Sequence, residues 1–151
     1  MAGEPWLLDT NILIRWVQPS DSEFALVDAV TRRMQQSNSE LCYTSQNLGE
    51  FWNVLSRPAN RNGYGFSPAE TDRKAVGLEA QLRFLPETPL VHVEWRKLLL
   101  KHSISGAQVH DARLVAAMQV HGIQRILTFN TRDFVRFTGI EAIHPSQIAK
   151  P

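Results

Sequence analysis

The sequence predicts a single α/β domain whose central parallel sheet is flanked by helices on both faces. Three observations carry this expectation. Short apolar runs occur at 6–8, 41–43 and 125–129, segments of helical periodicity separate them, and 151 residues suit one packed core. Parallel strands need crossover connections, which the helical segments supply. The domain is expected to span residues 1–151.

Taken in order, Trp6-Leu7-Leu8 reads as a short buried strand ending in Asp9. Residues 11–17 carry turn-spaced apolar residues before Pro19 and predict a short helix. Ser20 with Glu23 predicts a capping box for a second helix, whose Phe24, Leu26, Val27, Val30 and Met34 recur until Ser37-Asn38-Ser39. A second strand is expected at Leu41-Cys42-Tyr43. Thr44 or Ser45 then caps a helix that carries Leu48, Phe51, Trp52, Val54 and Leu55 as far as Arg57-Pro58, with Glu50 in its middle. Residues 58–66, with two glycines, two asparagines and a proline, read as an exposed loop. Ser67-Pro68-Ala69-Glu70 opens a helix expected to reach about Phe84. After the Pro86 and Pro89 interruptions, a helix is predicted over 91–102. Val109, Leu114, Val115, Met118 and Val120 mark another that Gly122 stops. A strand at 125–129 and a further one at 139–143 complete the chain.

Composition narrows the function less than it narrows the fold. With 43% hydrophobic and 21% charged residues the chain is not a disordered tail. Sixteen basic against fifteen acidic residues leave a net charge of +1, so any anionic partner must be met by a local patch. The single cysteine, Cys42, can form neither an internal disulfide nor a thiolate metal site, and it reads as a buried core thiol in a reducing cytoplasm. The first residues, Met1-Ala2-Gly3-Glu4-Pro5, lack a basic patch followed by an apolar run. No stretch approaches the roughly 18 apolar residues of a membrane span. A cytoplasmic protein without membrane association is expected.

In parallel sheets ligands bind beyond the carboxyl ends of the strands, which makes the residues after the first and the late strand privileged. Asp9 and the segment from Asn130 to Asp133 stand there. Glu50 lies inside an apolar helix, where an isolated carboxylate is costly to bury unless it is paired or bound to a cation. Asp111 falls in the first turn of its helix. Each has an ordinary alternative: Asp9 a helix cap, Glu50 a wetted helix edge, Asp111 an acid at a helix dipole, Asn130 and Asp133 turn and cap residues. Their combination places acids after one strand, inside one helix, at the start of another and after a late strand. That is how a sheet gathers distant residues at one rim.

The blocks Leu8-Asp9-Thr10-Asn11, Gln46-Asn47-Leu48-Gly49-Glu50-Phe51, His110-Asp111-Ala112-Arg113-Leu114-Val115-Ala116-Ala117 and Leu127-Thr128-Phe129-Asn130-Thr131-Arg132-Asp133-Phe134 together resemble the PIN domains, and within them the VapC-type toxins of type II toxin–antitoxin systems. The resemblance runs over nearly the whole chain. It implies that Asp9, Glu50 and Asp111 match the family's three main acids and that Thr10 matches a small hydroxyl orienting the first. Many family members carry an aspartate where this chain has Asn130, although asparagine also occurs in VapC-like members; Asp133 stands nearby with a charge. The resemblance further implies a ribonuclease, a homodimer, and a small cognate antitoxin whose tail blocks the acidic site.

The chemistry can also be argued from the residues. Three carboxylates within about 5 Å repel by roughly 3 kcal/mol per pair at an effective dielectric near 20, a penalty that a cation removes. All-oxygen ligands without cysteine or a histidine pair favour Mg²⁺ or Mn²⁺ over zinc. The expected reaction is metal-dependent phosphodiester hydrolysis. Asp9 and Asp111 are expected to bind the metal, Glu50 to bind it or orient the attacking water, and Asn130 and Asp133 to complete the outer side. Arg113, Arg132 and Arg136, then Arg57 and Arg61, are candidate phosphate contacts, with solvated surface charge as the alternative for each.

Other readings fare worse. A haloacid-dehalogenase-type phosphatase needs a second aspartate two residues after the first, and Asn11 stands there. A dinucleotide-binding domain needs Gly-x-Gly-x-x-Gly after its first strand, where this chain has Asp9-Thr10-Asn11. A catalytically inert PIN-like scaffold that binds RNA or a protein is the non-enzyme alternative, motivated by Asn130.

Overall fold

In the computed structural model, which describes residues 3–149, four apolar or mixed runs and one late segment pair as strands: β1 (Pro5–Leu8), β2 (Glu40–Thr44), β3 (Arg83–Leu85), β4 (Arg125–Leu127) and β5 (Glu141–Ile143). They form one sheet in the order β3-β2-β1-β4-β5, parallel at every pairing. Met1, Ala2, Lys150 and Pro151, included in the predicted domain and leader readings, lie outside the described residues. Chain order runs outward from β1 to β3 on one side and from β4 to β5 on the other. The switch point therefore lies between β1 and β4.

The sheet is buried on both faces because successive strand residues alternate between two cores. Leu7, Cys42, Leu85 and Ile126 pack with α5 (Pro89–Lys101) and α6 (Gln108–Val120). Trp6, Leu8, Leu41, Tyr43 and Leu127 pack on the other side with α1 (Thr10–Trp16), α2 (Phe24–Gln36), α3 (Ser45–Ser56) and α4 (Pro68–Glu79). Cys42 is a buried free thiol, as its apolar run predicts. α7 (Pro145–Ala149), which the sequence pattern does not announce, lies against α2. Among the described residues no helix is long and apolar enough to cross a membrane.

Local chemistry explains where the elements begin and end differently from their patterns. The Ser20–Glu23 box does not form: α2 starts at Phe24, and the Glu23 N–H is taken by the Asp21 carboxylate at 2.8 Å instead. Gln18 O already accepts from the Asp21 N–H, so residues 18–21 form a turn ahead of the helix. At α3 it is Thr44 that caps, in a reciprocal box with Asn47. The helix expected to reach Phe84 stops at Glu79, and Arg83–Leu85 becomes an edge strand on β2, with Arg83 paired to Glu40. Three residues between a turn and Pro86 are too few to show a strand period. β4 ends at Leu127 rather than Phe129, because the chain turns into the 3₁₀ segment Thr131–Phe134. α5 starts at Pro89, a proline suited to a first helical turn.

The 58–66 loop folds back onto the end of α3. The N–H groups of Tyr64 and Phe66 donate to Val54 and Leu55, and Gly65 N–H to Arg57 O, which satisfies carbonyls that the helix end leaves open. This close return needs Gly63, where an added Cβ would lie 2.0 Å from Arg57 O. Gly63→Ala is expected to cost about 2 kcal/mol by forcing backbone apart. Urea unfolding checks it, and a loss below about 0.5 kcal/mol, the usual scatter of surface substitutions, would show that the loop has room to yield.

Candidate active site

Asp9 follows β1 at the switch point, and its backbone N–H still bonds to Leu127 O of β4 at 3.0 Å. The backbone then turns into α1 with Asp9 as the N-cap, its Oδ1 accepting from Thr10 N–H at 2.8 Å. The capping role and the rim position are therefore compatible. Its other oxygen, Oδ2, accepts from the hydroxyl of the fully buried Thr128 at 2.7 Å and from the Asn11 amide at 3.4 Å. Thr128 Oγ1 itself accepts from Asn130 N–H at 3.0 Å, so its single proton is free for Asp9.

Thr10 is wired differently from the expectation that its hydroxyl orients Asp9. Only its N–H reaches that carboxylate; its hydroxyl donates to Glu50 Oε2 at 2.8 Å while accepting from the buried Asn47 amide at 3.2 Å. The α3 capping box fixes Asn47, since its Oδ1 accepts from both Thr44 N–H and Thr44 Oγ1 at 2.9 Å. Glu50 Oε1 accepts from the Gln46 amide at 2.9 Å, and the same nitrogen reaches His110 O, also at 2.9 Å. Gln46 thus ties α3 to the first turn of α6, where Asp111 sits.

Asp111 completes a cluster of acids with little neutralisation. Burial first, then the charges of Asp133, Asp9 and Glu50, push its carboxyl up to about 7. Asp9 is also raised, mainly by burial, against the lowering effect of its bonds from Thr128 and Thr10. Among the described residues the Asp111 carboxylate has no hydrogen-bond or ion-pair partner. Asp133, in the 3₁₀ turn, supplies charge that both Asp9 and Asp111 feel, whereas Asn130 is exposed and contributes a backbone N–H.

These acids are electrostatic neighbours without closing on a point. Among the described residues no three carboxylate, imidazole or thiol groups gather closely enough to enclose a metal ion. The donor chemistry still suits a hard cation, because the donors are carboxylate oxygens, buried at Asp9, half-buried at Glu50, Asp111 and Asp133, and unpartnered at Asp111. A Mg²⁺ ion that keeps several waters needs only one or two direct carboxylates.

The candidate arginines divide. Arg113 borders the site but is paired with Glu87, and Arg136 is held by Gln108. Arg132 is exposed in the 3₁₀ turn. Arg57 donates to Asn62 O at 2.9 Å and closes the 58–66 loop at the far end of α3, and Arg61 is exposed there. Tyr64 and Phe66 stack 5.9 Å apart and cover the α3 core. Sequence reasoning passed over Arg15, whose guanidinium lies 4.4 Å from the Phe129 ring centroid, reaches Asn11 O at 3.4 Å and pairs with Asp21 at 3.7 Å. Thr128, Gln46 and Asn47 stand in the blocks that carry the resemblance but received no role there; a threonine and an asparagine that are fully buried announce theirs only once burial is known.

The PIN domain family model matches residues 6–140. No curated protein sequence matches the chain. Among solved structures, DNA-bound VapBC from Salmonella typhimurium aligns with a TM-score of 0.69 at 19% identity, covering 95% of this chain and 99% of that one. VapBC2 from Rickettsia felis, bound to a promoter DNA fragment, aligns at 0.67 with 14% identity, over 93% and 98%. VapC20 from Mycobacterium tuberculosis, a toxin that cleaves the sarcin-ricin loop, aligns at 0.58 with 21% identity, over 80% and 85%. At these identities the alignments establish a shared fold. With residues 6–140 spanned by the family pattern and the acids of four separate elements drawn to the β1/β4 switch point, the chain belongs to the PIN domain family.

Proposed function

We propose that the chain is a metal-dependent endoribonuclease of the VapC toxin type, hydrolysing RNA phosphodiester bonds and restrained by a small cognate antitoxin. The observation that carries this reading is the convergence of Asp9, Glu50, Asp111 and Asp133, with Asp111 raised to about 7 by burial and by the other three. Perturbed carboxylates crowded at a strand-end cleft are what a cation site requires. RNA as substrate and an antitoxin as partner are supported by the family resemblance and by neighbours that include a sarcin-ricin-loop-cleaving toxin and toxin–antitoxin complexes. The functional form on this reading is a cytoplasmic homodimer.

Asp9 and Asp111 would hold Mg²⁺ or Mn²⁺, with Glu50 and Asp133 acting directly or through its waters. The ion would supply a water of lowered pKa and neutralise charge on the phosphodiester. The remaining work falls to the chain. Thr128 and the Thr10 N–H fix the two oxygens of Asp9, and Thr10 and Gln46 fix those of Glu50, so that neither acid has to reorganise when a substrate arrives. Glu50, held by the neutral donors Thr10 and Gln46, would orient the attacking water and accept its proton. Arg132, exposed in the 3₁₀ turn, would meet a backbone phosphate, while Arg113, paired with Glu87, would face the bases.

The test is cleavage of an end-labelled structured RNA by the purified chain, free of partners, with Mg²⁺, Mn²⁺ or EDTA. Cutting that EDTA abolishes supports the reading, while an inert protein that also fails to bind divalent metal returns the fold to the scaffold alternative. A finer prediction concerns Thr128→Val, which removes the hydroxyl that orients Asp9 at little change in volume. Cleavage is expected to fall roughly ten- to hundredfold, as for outer partners of metal ligands. Activity within twofold of wild type would mean that Asp9 needs no such support.

A further inference from the structure

Beside the acids runs an open groove between α3, α6 and the segment 86–88 that links β3 to α5, lined by Gln46, Gly49, Glu50, Glu87, His110 and Arg113. Its arginine is already committed. The Arg113 guanidinium pairs with the Glu87 carboxylate and lies 5.4 Å from the Trp95 ring centroid. Glu50 and Glu87 against Arg113 leave the lining one charge negative, so the groove repels a phosphate. A second guanidinium would meet Arg113, and Glu87 is already neutralised.

What the groove offers is a donor beside an acceptor. The two side chains of the pair are 40% and 34% exposed, so both remain reachable from solvent. A guanidinium next to a carboxylate complements a nucleobase edge that sets an acceptor beside an exocyclic amine, and the Trp95 ring against the Arg113 guanidinium steadies it for that contact. Two further features agree. Gln46 gives its amide hydrogens to Glu50 and His110, but its Oε1 is buried with no donor, an acceptor left over beside the groove. Gly49 is an exposed glycine inside α3 where an added Cβ would meet nothing within 4 Å. Such a residue weakens a helix relative to alanine, and packing does not ask for it. Its bare backbone keeps the floor beside Glu50 open.

We propose that this groove is a nucleobase pocket, in which Glu87 and Arg113 select an amine-bearing base next to the cleaved bond. Its place in catalysis rests on the ribonuclease reading; its ability to bind a base does not. The first measurement is a titration of isotope-labelled protein with adenosine, cytidine, guanosine and uridine, following the Gln46 amide and the Trp95 indole N–H. One amine-bearing nucleoside is expected to shift both signals, Glu87→Gln to weaken it at least tenfold, and Gly49→Leu to abolish it while the fold is kept. No shift with any nucleoside, or uridine binding best, overturns the proposal. A response to N-acetylarginine amide in place of nucleosides also overturns it, in favour of a protein partner's basic side chain.

The second measurement is sequencing of cuts in a random RNA pool. Glu87→Gln is expected to flatten base preference at one position at least tenfold and leave the others alone. If nucleosides bind but no RNA is cut, the nuclease reading fails and the pocket stands. If RNA is cut with preferences untouched by Glu87→Gln, the pocket fails and the nuclease reading stands.

Discussion

Asp9→Asn is expected to lower Mg²⁺-dependent RNA cleavage at least about a thousandfold while leaving the protein folded. Both halves follow from its position. Asparagine caps helices as well as aspartate does, so α1 keeps its start, and the amide oxygen can still accept from the Thr128 hydroxyl or the Thr10 N–H. The fold also loses a buried charge whose carboxyl is already raised by burial and by Glu50 and Asp133. What disappears is the anion best placed to hold a cation between β1 and β4. Removing one preorganised electrostatic group from a water-poor site costs on the order of 10²–10³ in rate, and a direct metal ligand belongs at or beyond the upper end. Single-turnover cleavage with a circular dichroism melt alongside is the check. A variant that melts like the parent and cuts within tenfold of it would remove Asp9 from the chemistry.

How much of this was legible beforehand depends on the length scale of the signal. The three central strands and six of the seven helices show in the sequence because burial on both faces demands continuous apolar runs, and crossover helices repeat their apolar positions every turn; the edge strand β5, expected over 139–143, forms at Glu141–Ile143. The acids show because a charge beside apolar residues is anomalous in itself: Asp9 ends a buried run and Glu50 interrupts a buried helix. β3 does not show, since three residues with two exposed carry no period, and pairing with β2 alone makes them a strand. The supporting bonds are invisible for a related reason. Thr128 and Asp9 are 119 residues apart and Thr10 and Glu50 are 40 apart, so only the closed sheet shows that a threonine proton has one carboxylate to go to. The Thr10 assignment fails on this point, because a hydroxyl beside Asp9 in sequence is aimed by Asn47 across the fold.

The acid cluster should make stability depend on pH and on Mg²⁺ together. Asp111 has an ordinary carboxyl value near 3.8 when unfolded and about 7 when folded, so the folded protein holds this proton more tightly. Its contribution is therefore full below about pH 4, is lost progressively as pH rises toward 7, and is gone above that. Asp9, raised in the same direction, adds to the trend. In EDTA the melting temperature is expected to be lower at pH 8 than at pH 5. Mg²⁺ should offset this difference, since it binds the ionised acids of the folded state and competes with protons for them. At a hundred times its dissociation constant a ligand adds about 2.7 kcal/mol, which for a chain of this size corresponds to about 5–10 °C. The rise is expected at pH 8 and largely absent at pH 5, where Asp111 is protonated. Asp111→Asn should flatten most of the EDTA pH profile and shrink the Mg²⁺ response together, because the same carboxylate contributes to both, with Asp9 supplying the remainder. A melting temperature at pH 8 that Mg²⁺ and Mn²⁺ leave unmoved would mean that the acids crowd without serving a cation, and the metal-dependent reading would fall with it.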